Sequence, residues 1–232
     1  MSLYVGTSGY SYKEWKGKFY PANLSPKDML SYYAERFTAV ELNNTFYRLP
    51  KPEMIESWKA QTPKDFRFSA KASQGITHFR RLKDSAAATR TMLNAMSGFE
   101  DRLAAVVFRM PEDFEKDLKR LETFLKVLPA ETPAVFEFRH PSWYDDEVVA
   151  LLRSQNRVLC ISDRDEMPLD HIEKTADWGY VRLRRVKYSE ADLKAWVKRI
   201  KAQKWKNTYV FFKHEDKGTG PKLAAQFHEL SV

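Results

Sequence analysis

Short runs of β-branched and aromatic residues alternate eight times along the chain with stretches whose apolar residues recur at helical spacing. The strand-like runs fall at residues 3–8, 39–43, 66–71, 104–108, 135–139, 157–162, 179–183 and 208–212. The first helix should open at Ser25-Pro26-Lys27-Asp28, with Ser25 as cap and Pro26 at the first helical position. Further helical patterns cover 52–60, 84–97, the Leu118, Leu121, Leu125 and Leu128 stripe, 145–152, 168–175, 189–203 and a segment from Pro221 onward, with 168–175 the weakest. Strands that alternate with helices make a parallel sheet, because a parallel pairing needs a long crossover. Eight such units in 232 residues predict an α/β chain forming one compact (β/α)8 TIM barrel with short loops over residues 1–232. The competing open sheet lacks its nucleotide fingerprint: Gly6-Thr7-Ser8-Gly9 is too short for G-x-G-x-x-G, and no P-loop is present.

Closure into a barrel would give every strand residue one of two directions, toward the helices or toward the lumen. In Val135-Phe136-Glu137-Phe138-Arg139 the phenylalanines claim the helix side, which sends Glu137 and Arg139 inward. The same parity sends Glu41 and Asn43, Arg67, Ser69 and Lys71, Arg109, Arg182 and Arg184, and Lys213 inward. These positions lie near the C-terminal ends of their strands, where such barrels build their sites. Charges there must be paired or solvated. Glu137 with Arg182 or Arg139 would be a simple lumen-filling pair.

Composition narrows the partners. Lys plus Arg number 39 against 31 Asp plus Glu, a net charge of +8, which favours anions: phosphates, acidic metabolites or nucleic acid. Part of that excess lies on the 189–203 helix. Its core stripe is Leu193, Trp196, Val197 and Ile200, and Lys194, Lys198 and Lys201 occupy the other face. No apolar run approaches membrane-spanning length and no signal peptide is evident at Met1-Ser2-Leu3-Tyr4, so the expected location is cytoplasmic with no membrane partner. Cys160 is the single cysteine, which excludes an internal disulfide, and its apolar neighbours predict a buried thiol.

Glu41, Glu137 and Asp163 could act as acid and base, or as metal ligands with His140 or His214. The crowd of Lys71, Arg109, Arg139, Arg182, Arg184 and Lys213 opposes a divalent metal and favours an oxyanion. His78 could move protons from the loop after the third strand, or could simply anchor that loop. Trp15, Tyr20, Tyr47 and Trp143 could rim the mouth and stack on a ligand, or pack the loops. No G-x-S-x-G supports a serine nucleophile.

These residues also carry a family pattern. Gly6-Thr7-Ser8-Gly9-Tyr10, Trp15, Phe19-Tyr20-Pro21, Val40 through Tyr47, Phe66 through Lys71, Thr77-His78, Glu137 through Trp143 and Ser162-Asp163 together resemble the YecE-like family, domain of unknown function 72. The resemblance implies a TIM barrel and brings no established activity; a relation to sugar isomerases is an analogy of fold. Three places depart from the family's usual residues: Arg109-Met110-Pro111-Glu112 where a glutamine precedes prolines, Arg182-Leu183-Arg184-Arg185 where Arg-x-His-Gly is usual, and Lys213-His214 where asparagines pair. Each makes the mouth more cationic. The expected ligand is therefore a small anionic, phosphorylated or sugar-like molecule, bound by Lys71, Arg139 and Arg182, with Asn43, His140, Trp143 and Trp15 as further contacts. Glu41, Glu137 and His78 are the candidate proton-transfer groups. A nucleic-acid-associated barrel and a catalytically silent binding module are the alternatives. No cofactor and no oligomeric state is indicated.

Overall fold

A computed structural model describes residues 1–165, 172–213, 216 and 218–231. Among the described residues nine parallel strands form one sheet: β1 (Ser2–Ser8), β2 (Ala39–Leu42), β3 (Arg67–Lys71), β4 (Leu103–Arg109), β5 (Ala134–Glu137), β6 (Val158–Leu159), β7 (Ile161–Asp163), β8 (Gly179–Leu183) and β9 (Asn207–Phe212). Their order is β6-β5-β4-β3-β2-β1-β9-β8-β7. The two sheet edges, β6 and β7, are the halves of one stretch interrupted only at Cys160, whose N–H still donates to the Phe136 carbonyl at 2.8 Å. The first half pairs with β5 and the second with β8. The expected eight-unit barrel is thus present, nearly closed, with its sixth strand split where it passes from one neighbour to the other.

Among the described residues seven α-helices flank the sheet: α1 (Met29–Ala34), α2 (Pro52–Ala60), α3 (Ala86–Met96), α4 (Leu118–Leu125), α5 (Asp146–Ser154), α6 (Glu190–Ala202) and α7 (Thr219–Ser231). Local chemistry sets their starts. Asp117 and Asp145 cap α4 and α5 by accepting from backbone N–H groups, and Ser189 with Asp192 forms a capping box on α6. Ser25 makes no side-chain cap; Pro26–Asp28 is a 3-10 turn and α1 begins after it. The expected 168–175 helix is not formed over 172–175, and the rest of it lies outside the described residues.

The alternation of residues builds two cores. Outside the sheet, Phe68, Phe108, Phe136 and Phe138 pack against the helices, with the Phe108 and Phe136 rings stacked 5.3 Å apart. Inside, Ala105, Val107, Val135, Cys160, Tyr180, Tyr209 and Phe211 fill the lower lumen. Burial raises the Cys160 thiol well above its ordinary value, so it stays an inert packing group. At Gly6 a Cβ would stand 1.9 Å from the Ala39 carbonyl oxygen, so β1 and β2 approach only because that side chain is missing.

Candidate functional site

Register brings the polar lumen residues together. Ser8 pairs with Glu41, Glu41 with Ser69, Arg109 with Glu137, and Ser162 with Arg182 across adjacent strands. Parallel neighbours in register point the same way, so each pair shares the lumen face near the C-terminal end of the sheet.

Arg182 is the centre of this layer and is 1 % exposed. Its Nη2 donates to Glu41 Oε1 at 2.8 Å and to Ser8 Oγ at 3.2 Å, and its Nη1 donates to Glu137 Oε2. Glu41 also accepts from the Ser8 hydroxyl on Oε1 and from the Tyr180 hydroxyl on Oε2 at 2.7 Å. Glu137 Oε1 accepts from Arg184 Nη1 at 3.3 Å, with Ser162 Oγ 3.5 Å away. Burial alone would raise both carboxyls. Arg182 overcomes it, helped by Lys71 at Glu41 and by Arg109 and Arg184 at Glu137, and both groups are held below the usual carboxylate range. Of the two simple pairings open to Glu137, the one with Arg182 forms; Arg139 turns instead to Glu112.

That arrangement revises three roles. Arg182, expected to bind ligand, spends its terminal donors on Glu41, Ser8 and Glu137. Glu41 and Glu137, expected to move protons, are ionised and saturated with donors, which makes them weak bases and no acids at neutral pH. They act as the fixed negative charges of the lumen.

Above them the cations exceed what two carboxylates can neutralise. Lys71 Nζ is 3.9 Å from Glu41 Oε1 and Arg109 Nε is 3.8 Å from Glu137 Oε2, both beyond hydrogen-bond reach. Arg109 Nε is a buried donor with no partner among the described residues. Desolvation, opposed by Glu41 and reinforced by Arg182, pushes the Lys71 amine down to about 7. Burial and the neighbouring Arg182 push Arg184 down to about 10, and burial with Arg109 and Arg164 lowers Arg139. In all three, burial is the first cause and neighbouring guanidiniums add to it. Lys213 is half-buried at the end of β9, its N–H on the Leu183 carbonyl at 3.2 Å.

His78 belongs to this mouth. It sits on a π-helical turn, Gly75–Phe79, with its Nδ1 2.9 Å from Thr77 Oγ1 and its ring edge-on to Phe46. Burial, followed by Arg109, lowers its pKa, so the ring is neutral at pH 7. The chain then passes through left-handed backbone at Arg81, Leu82 and Asp84, with φ of 46°, 69° and 46°. Three such residues in a row of four are a local strain that the Arg81–Asp113 ion pair and the buried Leu82 hold in place. Tyr47 and Phe79, 72 % and 76 % exposed, stand on the loops that carry Phe46 and His78. Phe79 carried no signal beyond its place next to His78.

Other expected contacts lie elsewhere. Asp163 turns away from the lumen: its Oδ2 accepts from Arg185 Nε at 2.9 Å, Tyr188 Oη at 2.9 Å and Trp196 Nε1 at 3.1 Å, tying β7 to α6. Its lumen-facing neighbour is Ser162. Trp15 and Trp143 are fully buried. Trp143 stacks on Phe138 at 4.3 Å and donates to the Phe114 carbonyl, and Trp15 packs among Tyr12, Phe19 and Tyr20. Neither offers a ring to a ligand. His140 bonds its own loop through Ser142, and His214 lies outside the described residues. Asn43 is half-buried beside Ser8 and Tyr12, each at 3.4 Å, and lines a cleft with Gly9, Tyr10 and Asn44. Among the described residues no three His, Cys, Asp or Glu side chains are grouped to hold a metal, and no helix is long and apolar enough to cross a membrane.

Known proteins resemble the chain in sequence, and a solved structure resembles it in fold. The chain is 33 % identical over 143 residues to the UPF0759 protein YecE of Escherichia coli, a match that covers 61 % of this chain and spans half the length of that relative. It is 20 % identical over 224 residues to the UPF0759 protein YunF of Bacillus subtilis, covering 91 % of this chain and 78 % of the other. A DUF72 family protein from Thermotoga maritima superposes with a TM-score of 0.86 at 29 % identity, with 99 % of both chains covered. The family model described as "Protein of unknown function DUF72" matches residues 4–232, and with this coverage the chain belongs to the DUF72 family.

Proposed function

We propose that the C-terminal mouth of the barrel binds a small anionic molecule, phosphorylated or carboxylated. The observation that carries this reading is the charge imbalance in the lumen. Two carboxylates, both already engaged by Arg182, face Lys71, Arg109 and Arg184 as well. A buried or half-buried cation with incomplete pairing is costly, and an oxyanion would relieve several at once. The guanidinium of Arg109, with its partnerless Nε, is the first ligand contact on this reading, joined by Arg184 and by Arg139 once it leaves Glu112. Tyr47 and Phe79 supply exposed rings at the rim for the ligand's body. His78 and Lys71 replace the glutamates as the groups able to exchange protons near neutrality.

Thermal unfolding in the presence of inorganic phosphate and a panel of phosphorylated and carboxylated metabolites tests this. A ligand present at a hundred times its Kd adds about 2.7 kcal/mol to stability. Arg109→Ala and Arg184→Ala should each abolish the response. The reading fails if no compound raises Tm, or if the rise survives both substitutions. An oligonucleotide arm addresses the other class: retention that falls steeply with salt would move the reading to a nucleic-acid-binding barrel.

A further inference from the structure

At the level where the two carboxylates sit, the neighbouring cations Arg109, Arg182 and Arg184 are guanidiniums, which stay protonated and do not attack carbon. Lys71 differs. Its strand ends the polypeptide's run along the lumen there, and Thr45 Oγ1 fixes its carbonyl at 2.9 Å. Its side chain is 10 % exposed, so the stem is mostly enclosed in the lumen. The amine makes no hydrogen bond among the described residues, and its nearest carboxylate oxygen is 3.9 Å away. An amine buried among cations, held short of its counter-ion and open on one side, has the setting that turns lysine into a nucleophile.

We propose that the Lys71 amine condenses with the carbonyl carbon of an anionic aldehyde or ketone bound at the mouth, forming an imine. The ligand class rests on the anion reading above; the nucleophile does not. In the step, the nitrogen lone pair forms a C–N bond as the carbonyl π bond breaks, and the oxygen takes a proton to give a carbinolamine. Loss of that hydroxyl with a proton from nitrogen releases one water and leaves the imine, with no change in oxidation state. His78, half-buried and in charge interaction with Lys71, is the candidate to carry the proton from the nitrogen to the departing hydroxyl. The low basicity of Lys71 at about 7 leaves about half of it as free amine at neutral pH. An ordinary lysine with a pKa of about 10.4 is free only to roughly one part in 2,500.

Two probes are mixed with the intact protein at pH 7, pyridoxal 5′-phosphate and glyoxylate, and trapped with borohydride. Peptide mass mapping then locates the reduced adducts. Lys71 should be modified at least tenfold faster than any other lysine by one probe or both. Lys71→Arg should lose that adduct. Where that variant does not fold, the wild-type map decides alone. Labelling spread over other lysines with Lys71 untouched by both probes overturns the proposal, even if phosphate still raises Tm through Arg109. Inorganic phosphate as competitor, and pyridoxal without its phosphate, separate the two ideas. Slower labelling in both cases supports the anionic carbonyl ligand. Selective Lys71 labelling that ignores phosphate leaves the nucleophile standing and removes the anion reading.

Discussion

Removing the guanidinium at the centre of the lumen tests the electrostatic account most directly. Arg182→Met keeps much of the side-chain volume and deletes the donors to Glu41, Ser8 and Glu137. The two carboxylates are 0 % and 1 % exposed, so water cannot replace what they lose. Breaking one buried pair by removing a partner costs about 3–5 kcal/mol. One residue here serves two carboxylates, which pushes the loss up, while Lys71 at 3.9 Å and Arg184 at 3.3 Å remain and pull it down. The net expectation at pH 7.5 is a loss of about 4 kcal/mol. The sign of the pH dependence is sharper than the size. In the native protein both carboxyls are held below the usual range, so their stabilisation is complete above about pH 4.3 and is lost as pH falls through the lowered values. In the variant, burial without Arg182 raises them, and protonation between about pH 7 and 4.5 stabilises the folded state. Both effects narrow the gap between the two proteins as pH falls. Urea unfolding followed by fluorescence of the six tryptophans at pH 7.5, 6.0 and 4.5 measures it. A gap under 1 kcal/mol at pH 7.5, or one that stays constant down to pH 4.5, would refute the reasoning.

Other substitutions separate scaffold from site. Gly6→Ala forces a Cβ onto the Ala39 carbonyl at 1.9 Å and should cost about 3 kcal/mol in thermal unfolding; an unchanged Tm contradicts the close approach of β1 and β2. Asp163→Asn weakens the tie from β7 to α6 and should lower stability by about 2 kcal/mol while leaving the phosphate response intact. If phosphate binding disappears at unchanged stability, Asp163 belongs to the site after all. The His78 ring should titrate below its ordinary value by NMR and move upward when phosphate binds, because a bound anion offsets the surrounding cations. Movement downward, or none, argues against an anion beside it.

Much of the architecture is legible because a barrel makes residue direction binary. The phenylalanines at 136 and 138 mark the helix side, which by parity places Glu137, and through the neighbouring strands Glu41 and Arg182, in the lumen. What parity leaves open is the partner. Arg139 and Arg182 are both inward candidates for Glu137, and only the register of Ser162 with Arg182 and Arg109 with Glu137 decides between them. Asp163 misleads because a carboxylate at a strand end looks like a site residue. Counting from the lumen residue Cys160 would have made Ser162 the inward one, but the donors Arg185, Tyr188 and Trp196 that hold Asp163 lie on later elements. Trp15 and Trp143 mislead for another reason: the loops they occupy are long enough to bury an aromatic under themselves. Ser8 and Tyr180 share the lumen parity of Tyr4 and Arg182, and could have been read as donors to the buried glutamates.

The cations at two of the departures from the family pattern, Arg109 and the pair Arg184-Arg185, do not act alike. Arg109 and Arg184 both converge on Glu137, and with Arg182 they set three guanidiniums against the two carboxylates, a surplus of one positive charge among the described residues before Lys71 is counted. Arg185, next in the chain, goes the other way, to Asp163 and Asp192, and adds nothing to the mouth. The surplus therefore comes from strand-end residues on two elements, β4 and the segment after β8, aimed at one carboxylate. A lumen-filling network would have stopped at charge balance, with one cation besides Arg182 for the two glutamates. Further cations next to a satisfied carboxylate raise the cost of burial unless something else is bound there, and Arg109, after burial and Arg182, also lowers the basicity of the Lys71 amine. Anion binding and a reactive amine thus share Arg109 as a contributor. Arg109→Gln should therefore weaken the phosphate response and, by removing a neighbouring positive charge, slow the labelling of Lys71 at pH 7. Loss of the first with no change in the second would show that burial and Arg182 alone set the reactivity of the amine.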